Sequence, residues 1–149
     1  LSKVTSAAQA YSSVIIIPIN TDRFSMDGLE LTIDSVISLN KKFGIDPDLK
    51  IVVNKFDARQ KLGFEILSTI SQGQYKDFLC ENFIAIAKQI DNCIAAGQNI
   101  WNPKYKSLAQ ENMNKLLLEL LGAEDWKSSK TYKTNYTNLP SFSEVTTNV

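Results

Sequence analysis

Two short runs constrain this chain more than anything else in it: Val14-Ile15-Ile16-Ile17, followed by Pro18, and Leu49–Val53. β-Branched side chains suit extended backbone. An unbroken apolar run, in place of polar alternation, marks a strand covered on both faces, as in parallel sheets. Between the runs, Leu29, Ile33, Val36 and Ile37 recur at helical spacing. Ser25 is expected to cap that helix, with Asp27 in its first turn favouring the dipole. Gly44 is placed for a left-handed cap, and Pro47 blocks continuation. Strand, helix and strand in this order predict a βαβ unit with a right-handed crossover. Pro18, having no N–H, is expected to end the first ladder.

Around this unit the pattern is mostly helical. Leu1, Val4, Ala8 and Tyr11 predict a helix over 1–11, and Asn20–Phe24 a polar loop. Asn54–Lys61 reads as a polar turn overlapping a helix over Ala58–Ser71, with Leu62, Ile66 and Ile70 on one face and Gly73 at its end. Phe78-Leu79-Cys80 suggests a short third strand, and Ile84–Ala96 a helix closed by Gly97. Asn102-Pro103 looks like a helix start. From there Tyr105, Leu108, Asn112, Leu116 and Leu120 face one way as far as Gly122. Residues 127–149 are rich in Ser, Thr and Asn without periodicity, and read as a polar, disordered tail. The expected architecture is one α/β domain over 1–126, a parallel sheet of about three strands flanked by helices.

Composition narrows the chemistry. The 149 residues carry 16 Lys+Arg against 16 Asp+Glu, so a polybasic nucleic-acid binder is excluded, although a local basic patch is not. There is no His, which removes Ser-His-Asp and Cys-His catalysis and His-ligated zinc. Cys80 and Cys93 form neither a CxxC nor a disulfide framework, consistent with a reducing compartment. No apolar run approaches the length of a membrane span, and no signal peptide is visible. The first residue is Leu, within an expected helix, so either the start was processed or the sequence is part of a longer protein.

In open parallel sheets, ligands bind at the carboxyl ends of the strands. One such end carries Pro18-Ile19-Asn20-Thr21-Asp22, the other Asn54-Lys55-Phe56-Asp57. The second matches the NKxD pattern of nucleotide-binding proteins. An Asn amide both donates and accepts, so it can read a purine edge. A nearby Asp can orient the loop or accept from a base amino group. The same four residues also fit a polar turn capping the next helix. Glu111 and Glu119, with Lys115 between them, read as surface ion pairs.

Ile17-Pro18, then Phe24-Ser25-Met26-Asp27-Gly28-Leu29, then Asn54 through Gly63 (NKFDARQKLG) stand in an order and at distances that resemble the C-terminal half of ParA/Soj-type DNA-partition ATPases. In that family an "IP" strand end precedes an "FS-(L/M)-(E/D)-GL" helix start and a later "N-x-(Y/F)-D-A-R-T/Q-K-L" segment. Asn102 through Ala109 (NPKYKSLA) resembles its closing segment, so the likeness spans roughly Leu1–Leu121. The resemblance implies a partial P-loop NTPase (Rossmann-like) fold. In the complete protein it implies bound ATP and Mg²⁺, a nucleotide-dependent homodimer, and non-specific DNA binding. It also implies a ParB-like centromere-binding partner, a role in plasmid or chromosome partitioning, and a cytoplasmic, nucleoid-associated location without membrane attachment. Asn54 would contact adenine, with Asp57 supporting it. Arg59 and Lys61 would approach DNA phosphates, or else belong to a solvated helix face.

The departures matter as much. No GxxxxGK[ST] is present among the scattered glycines. Without it nothing cradles phosphates or holds Mg²⁺, so this chain alone is not expected to hydrolyse ATP and has no assigned catalytic residue or metal ligand. Ile84-Ala85-Ile86 stands where many relatives carry "IPR". Two alternatives compete with the partition ATPase. One is a P-loop-less regulatory module docking on a complete ATPase. The other is the C-terminal part of an NKxD GTPase. As the isolated C-terminal part of a partition ATPase, the chain would expose the sheet edge that its missing half should cover, and that edge predicts dimerisation or partner association.

Overall fold

A computed structural model describes residues 2–101 and 107–121. It contains α1 (Lys3–Ala10), β1 (Val14–Asn20), α2 (Arg23–Phe43), β2 (Asp48–Asn54), α3 (Lys61–Gln72), a short 3₁₀ turn (Lys76–Phe78), α4 (Lys88–Ala95) and α5 (Leu108–Leu121). The fold is α/β. β1 and β2 pair in parallel, from Val14 opposite Asp48 to Asn20 opposite Asn54. The expected tail over 127–149 and the Asn102-Pro103 helix start lie outside the described residues, as does Tyr105.

The strand ladder runs straight through Pro18, contrary to the expectation that Pro18 would end it. The reason is the side to which its nitrogen points. The Asp48 N–H donates to the Ser13 carbonyl at 2.9 Å, and parallel pairing then turns the backbone groups of residues 13, 15, 17 and 19 toward β2. Those of Val14, Ile16, Pro18 and Asn20 point the opposite way. Pro18 therefore withholds a donor only from the outer edge, where proline is tolerated.

One face of the sheet is well covered. Ile17 and Ile19 of β1 and Leu49, Ile51 and Val53 of β2 pack with Leu29, Ile33 and Val36 of α2 and Ile66, Leu67 and Ile70 of α3 in one core. The other face is covered over β2 alone: Val52 joins Cys80 and Leu116 of α5, with Ile84 and Leu120 against them. β1 is not the doubly buried strand its composition suggested, since Val14 is 39% and Ile16 48% exposed.

A third, regular strand at 78–80 does not form. Phe78 belongs to the 3₁₀ turn, and only isolated parallel bridges join Ile51 to Leu79 and Phe56 to Ala85. An irregular extended segment over 79–86 takes the third place. The Cys80 N–H donates to the Ile51 carbonyl and the Ile84 N–H to the Val53 carbonyl, both at 2.9 Å. α5 then closes the segment's outer side. Asn112 Oδ1 accepts from the Ala85 N–H at 3.2 Å, and Glu119 accepts from the Glu81 and Asn82 N–H groups at 2.6 and 2.9 Å. Glu119 is thus a loop anchor. Only Glu111 pairs with Lys115, at 3.1 Å.

Helix ends also differ from expectation. Asp22, not Ser25, caps α2: its side chain accepts from the Ser25 N–H at 2.7 Å, and Asp27 lies beyond the first turn. Gly44 is the left-handed cap, with φ +65. α3 begins at Lys61 and not at Ala58, and α4 at Lys88 and not at Ile84. Val4 of α1 and Tyr11, which caps its end, face solvent, and Gln9 makes the contact with α2, donating to the Val36 carbonyl at 3.0 Å and to Asn40 Oδ1 at 2.9 Å.

Candidate functional site

The last residues of β1 and β2 bring two amides side by side, since Asn20 and Asn54 are register partners at the carboxyl end of the sheet. Asn20 is exposed and Asn54 half-buried. The chain then turns sharply. Lys55 has φ +54, the one non-glycine residue with positive φ among the described residues. A lysine there stores roughly 1 kcal/mol of strain, which the surrounding contacts must hold.

Phe56 supplies the main contact. Its ring meets Phe83 at a centroid distance of 4.7 Å and Phe64 edge-on at 5.2 Å. Gly63 lets it approach α3, because a Cβ there would stand 3.2 Å from Cε2 of Phe56. Its backbone joins the third segment, N–H to the Ile84 carbonyl at 3.0 Å and carbonyl to the Ile86 N–H at 2.9 Å. The site thus rests on β2, α3 and the segment that α5 holds.

Asp57 locks the next part of the turn. It is 8% exposed. Its Oδ1 accepts from the Arg59 N–H at 3.1 Å and from Arg59 Nε at 2.8 Å. Its Oδ2 accepts from Arg59 Nη2 at 2.8 Å and from Gln60 Nε2 at 3.4 Å. This is a bidentate guanidinium–carboxylate clasp closed over two residues. The Arg59 side chain and backbone hydrogen bonds hold the Asp57 carboxyl down at about 2, against the opposing effect of burial. Asp57 raises the Arg59 guanidinium in return. Lys61 lies nearby but separately, 92% exposed, with Nζ 3.6 Å from Glu65.

Beside the clasp lies a cleft of about 350 Å³, walled by Phe56 and Ala58, by Asp57 and Arg59, and by Ala85, Ile86 and Leu108. Its volume is at the small end for small-molecule sites, and a mostly apolar lining with a few polar groups is the usual composition. Asn54 stands two residues before this lining, at the strand end, and is not part of it. The structure therefore gathers Asp57 and Arg59 at one cleft, leaves Asn54 outside its lining at the end of β2, and leaves Lys61 on the open helix surface. Ala85 and Ile86, where the family resemblance called for Pro and Arg, form a wall that presents no charge.

Sequence reasoning missed the Asp57–Arg59 clasp, although an Asp followed two residues later by Arg before a helix was a usable sign. It also missed Asn112, which reaches the site only across the fold. No group of three or more metal-ligating side chains occurs among the described residues. No described helix is long and apolar enough to cross a membrane. No family model, curated protein or solved structure matches the chain.

Proposed function

We propose that the chain is the C-terminal part of a ParA-like partition ATPase, and that its cleft and strand end form the base-binding side of a nucleotide site. The observation that carries this is the placement of Asn54 at the carboxyl end of a parallel strand, immediately before a rigid turn that walls an apolar cleft. That is where ligands bind in open parallel sheets. Asn54 would read the purine edge, while Phe56, Ala85 and Ile86 offer apolar contact to the base. Asp57 acts through the turn and not on the base. ATP phosphates and Mg²⁺ would be held by a phosphate-binding loop, which this chain does not contain. Homodimerisation, non-specific DNA binding and a ParB-like partner belong to the same proposal.

The GTPase alternative is less well supported. Reading guanine needs a carboxylate free to accept from the base, and both Asp57 oxygens are engaged by Arg59 and Gln60. In the DNA contact, Arg59 would have to leave Asp57, whereas Lys61 has only an exposed ion pair to exchange. Such pairs contribute about 0–1 kcal/mol, so Lys61 is the better phosphate contact.

Titration of the ¹⁵N-labelled chain with adenosine and guanosine tests the base site. The expected result is adenosine-selective movement of the Phe56, Ala58, Ala85 and Ile86 amides, weakened by Asn54→Ala. Equal or guanosine-preferring movement overturns the assignment. For DNA, Lys61→Ala is expected to lower both affinity and salt dependence. Unchanged binding removes Lys61 from the interface.

A further inference from the structure

Among the described residues, Asp57 and Arg59 are the only charged walls of the cleft, and each cancels the other. The other described walls, Phe56, Ala58, Ala85, Ile86 and Leu108, are apolar. An anion placed there would lose water without gaining a cation of its own. To bind it, Arg59 would have to give up two bonds of 2.8 Å to the Asp57 carboxylate. The cleft therefore suits a neutral ligand. Lys55 and Lys88 stand just outside the lining, next to Phe56 and two residues past Ile86, so a charged substituent belongs at the rim. Shape narrows the ligand further. In a side-on guanidinium–carboxylate pair, Nε and Nη2 each meet one oxygen, and the two groups lie flat together. The Arg59 N–H and Gln60 Nε2 bonds to the same carboxylate fix that arrangement to the turn. Yet the Arg59 side chain is 83% exposed, and Ile86 on the opposite wall is 53% exposed.

We infer that Arg59, locked by Asp57, is the stacking platform for a neutral, flat aromatic ring, which it holds against Ile86. Guanidinium planes stack on aromatic rings and on bases. A fixed, planar and uncovered guanidinium facing an uncovered aliphatic side chain supplies both surfaces of such a stack. Asp57 is the positioning residue: it holds the guanidinium in one orientation and offsets its charge, so that Arg59 serves the cleft and not DNA phosphates. A volume of about 350 Å³ holds one ring system and little more. That the ring is a purine rests on the base-site reading. That it is flat and neutral rests on the clasp and on the lining.

The test follows the Arg59 Nε–Hε resonance of the ¹⁵N-labelled whole chain with three probes: adenosine, benzimidazole and inorganic phosphate. The expected result is a saturable upfield shift of Hε with both rings, because a proton over a ring face is shielded, and no saturable shift with phosphate. Arg59→Ala should weaken adenosine about two- to fivefold, the size of one exposed cation–ring contact. Arg59→Lys keeps the charge without the planar fork and should weaken it as much. Asp57→Asn loosens the clasp, and should weaken adenosine and reduce the Hε shift. A saturable shift with phosphate, no shift with either ring, or wild-type affinity in Arg59→Lys overturns the inference. If adenosine moves the Phe56 and Ala85 amides and leaves Hε unmoved, the base site stands and the platform falls. If benzimidazole shifts Hε and adenosine moves nothing, the platform stands and the purine reading falls.

Discussion

Replacing Asn112 by Ala isolates the contribution of α5 to the candidate site. Asn112 is buried, and its Oδ1 is the acceptor for the Ala85 N–H at 3.2 Å. Ala85 is itself 8% exposed, so water cannot replace the amide. Leaving a buried N–H unpaired costs about 1–3 kcal/mol. A domain of this size has about 5–15 kcal/mol in total, so the loss is a substantial fraction. With a urea slope of about 1–3 kcal/mol per M, the midpoint should fall by roughly 0.5–1.5 M. Asn112→Asp keeps an oxygen acceptor and should recover most of that loss, whereas Asn112→Leu keeps volume without an acceptor and should not. Amide exchange adds a spatial readout: Ala85 and Ile86 should exchange faster in Asn112→Ala, while the Arg59 amide, held by Asp57, should not. A midpoint within about 0.2 M of wild type, or equal behaviour of Asp and Leu, refutes the assignment of this bond as the support of the cleft wall.

The other predictions concern groups around the same site. Asp57 titrates at about 2 when folded, against an ordinary 3.8. Its pairing therefore stabilises the fold above the ordinary value, and this is lost as pH falls from about 4 toward 2. A urea midpoint followed over that range should fall further in wild type than in Asp57→Asn, and parallel curves would refute the clasp. Gly63→Ala drives a Cβ against Phe56 at 3.2 Å. The Phe56 ring is held between Phe64 and Phe83, so overpacking should outweigh the helix-propensity gain and destabilise by about 1 kcal/mol in thermal or urea unfolding. Burial pushes the Cys80 thiol up to about 12. An aromatic disulfide reagent should label Cys80 only at the rate of global opening, and rapid labelling at neutral pH would place α5 elsewhere.

The local parts of this fold were legible, and the long-range parts were not. β1, β2 and α2 could be placed because β-branched runs, an apolar stripe and Gly44 each act within a few residues. The burial of β1 could not be read, because composition reports what a strand suits and not what covers it. Pro18 was misread because an edge strand has two sides, and only its register with β2 decides which side lacks the donor. Of the 79–86 segment only the start, Leu79-Cys80, was expected to be extended, and the rest was missed for a different reason. It has no β-branched run, and it stays extended through backbone bonds to β2 and through Asn112 and Glu119, well over twenty residues further along the chain. Asn54 and Asp57 were recognised as a motif, but their division of labour was not, since only geometry shows Asp57 consumed by Arg59.

That division has a consequence for how the site responds to damage. One wall of the cleft, Asp57 to Arg59, is closed by contacts within three residues and should survive changes elsewhere. The opposite wall, Ala85 to Ile86, has no such local support and depends on Phe56 and on α5. Loosening α5 should therefore widen the cleft without unlocking the turn, whereas losing Asp57 should free Arg59 and leave Ala85 in place. A base held between the two walls would feel both lesions, so ligand affinity cannot tell them apart, and site-resolved amide exchange can. If both variants loosened both walls equally, the turn and the 79–86 segment would form one cooperative unit, and the independent clasp at Asp57 would have to be abandoned.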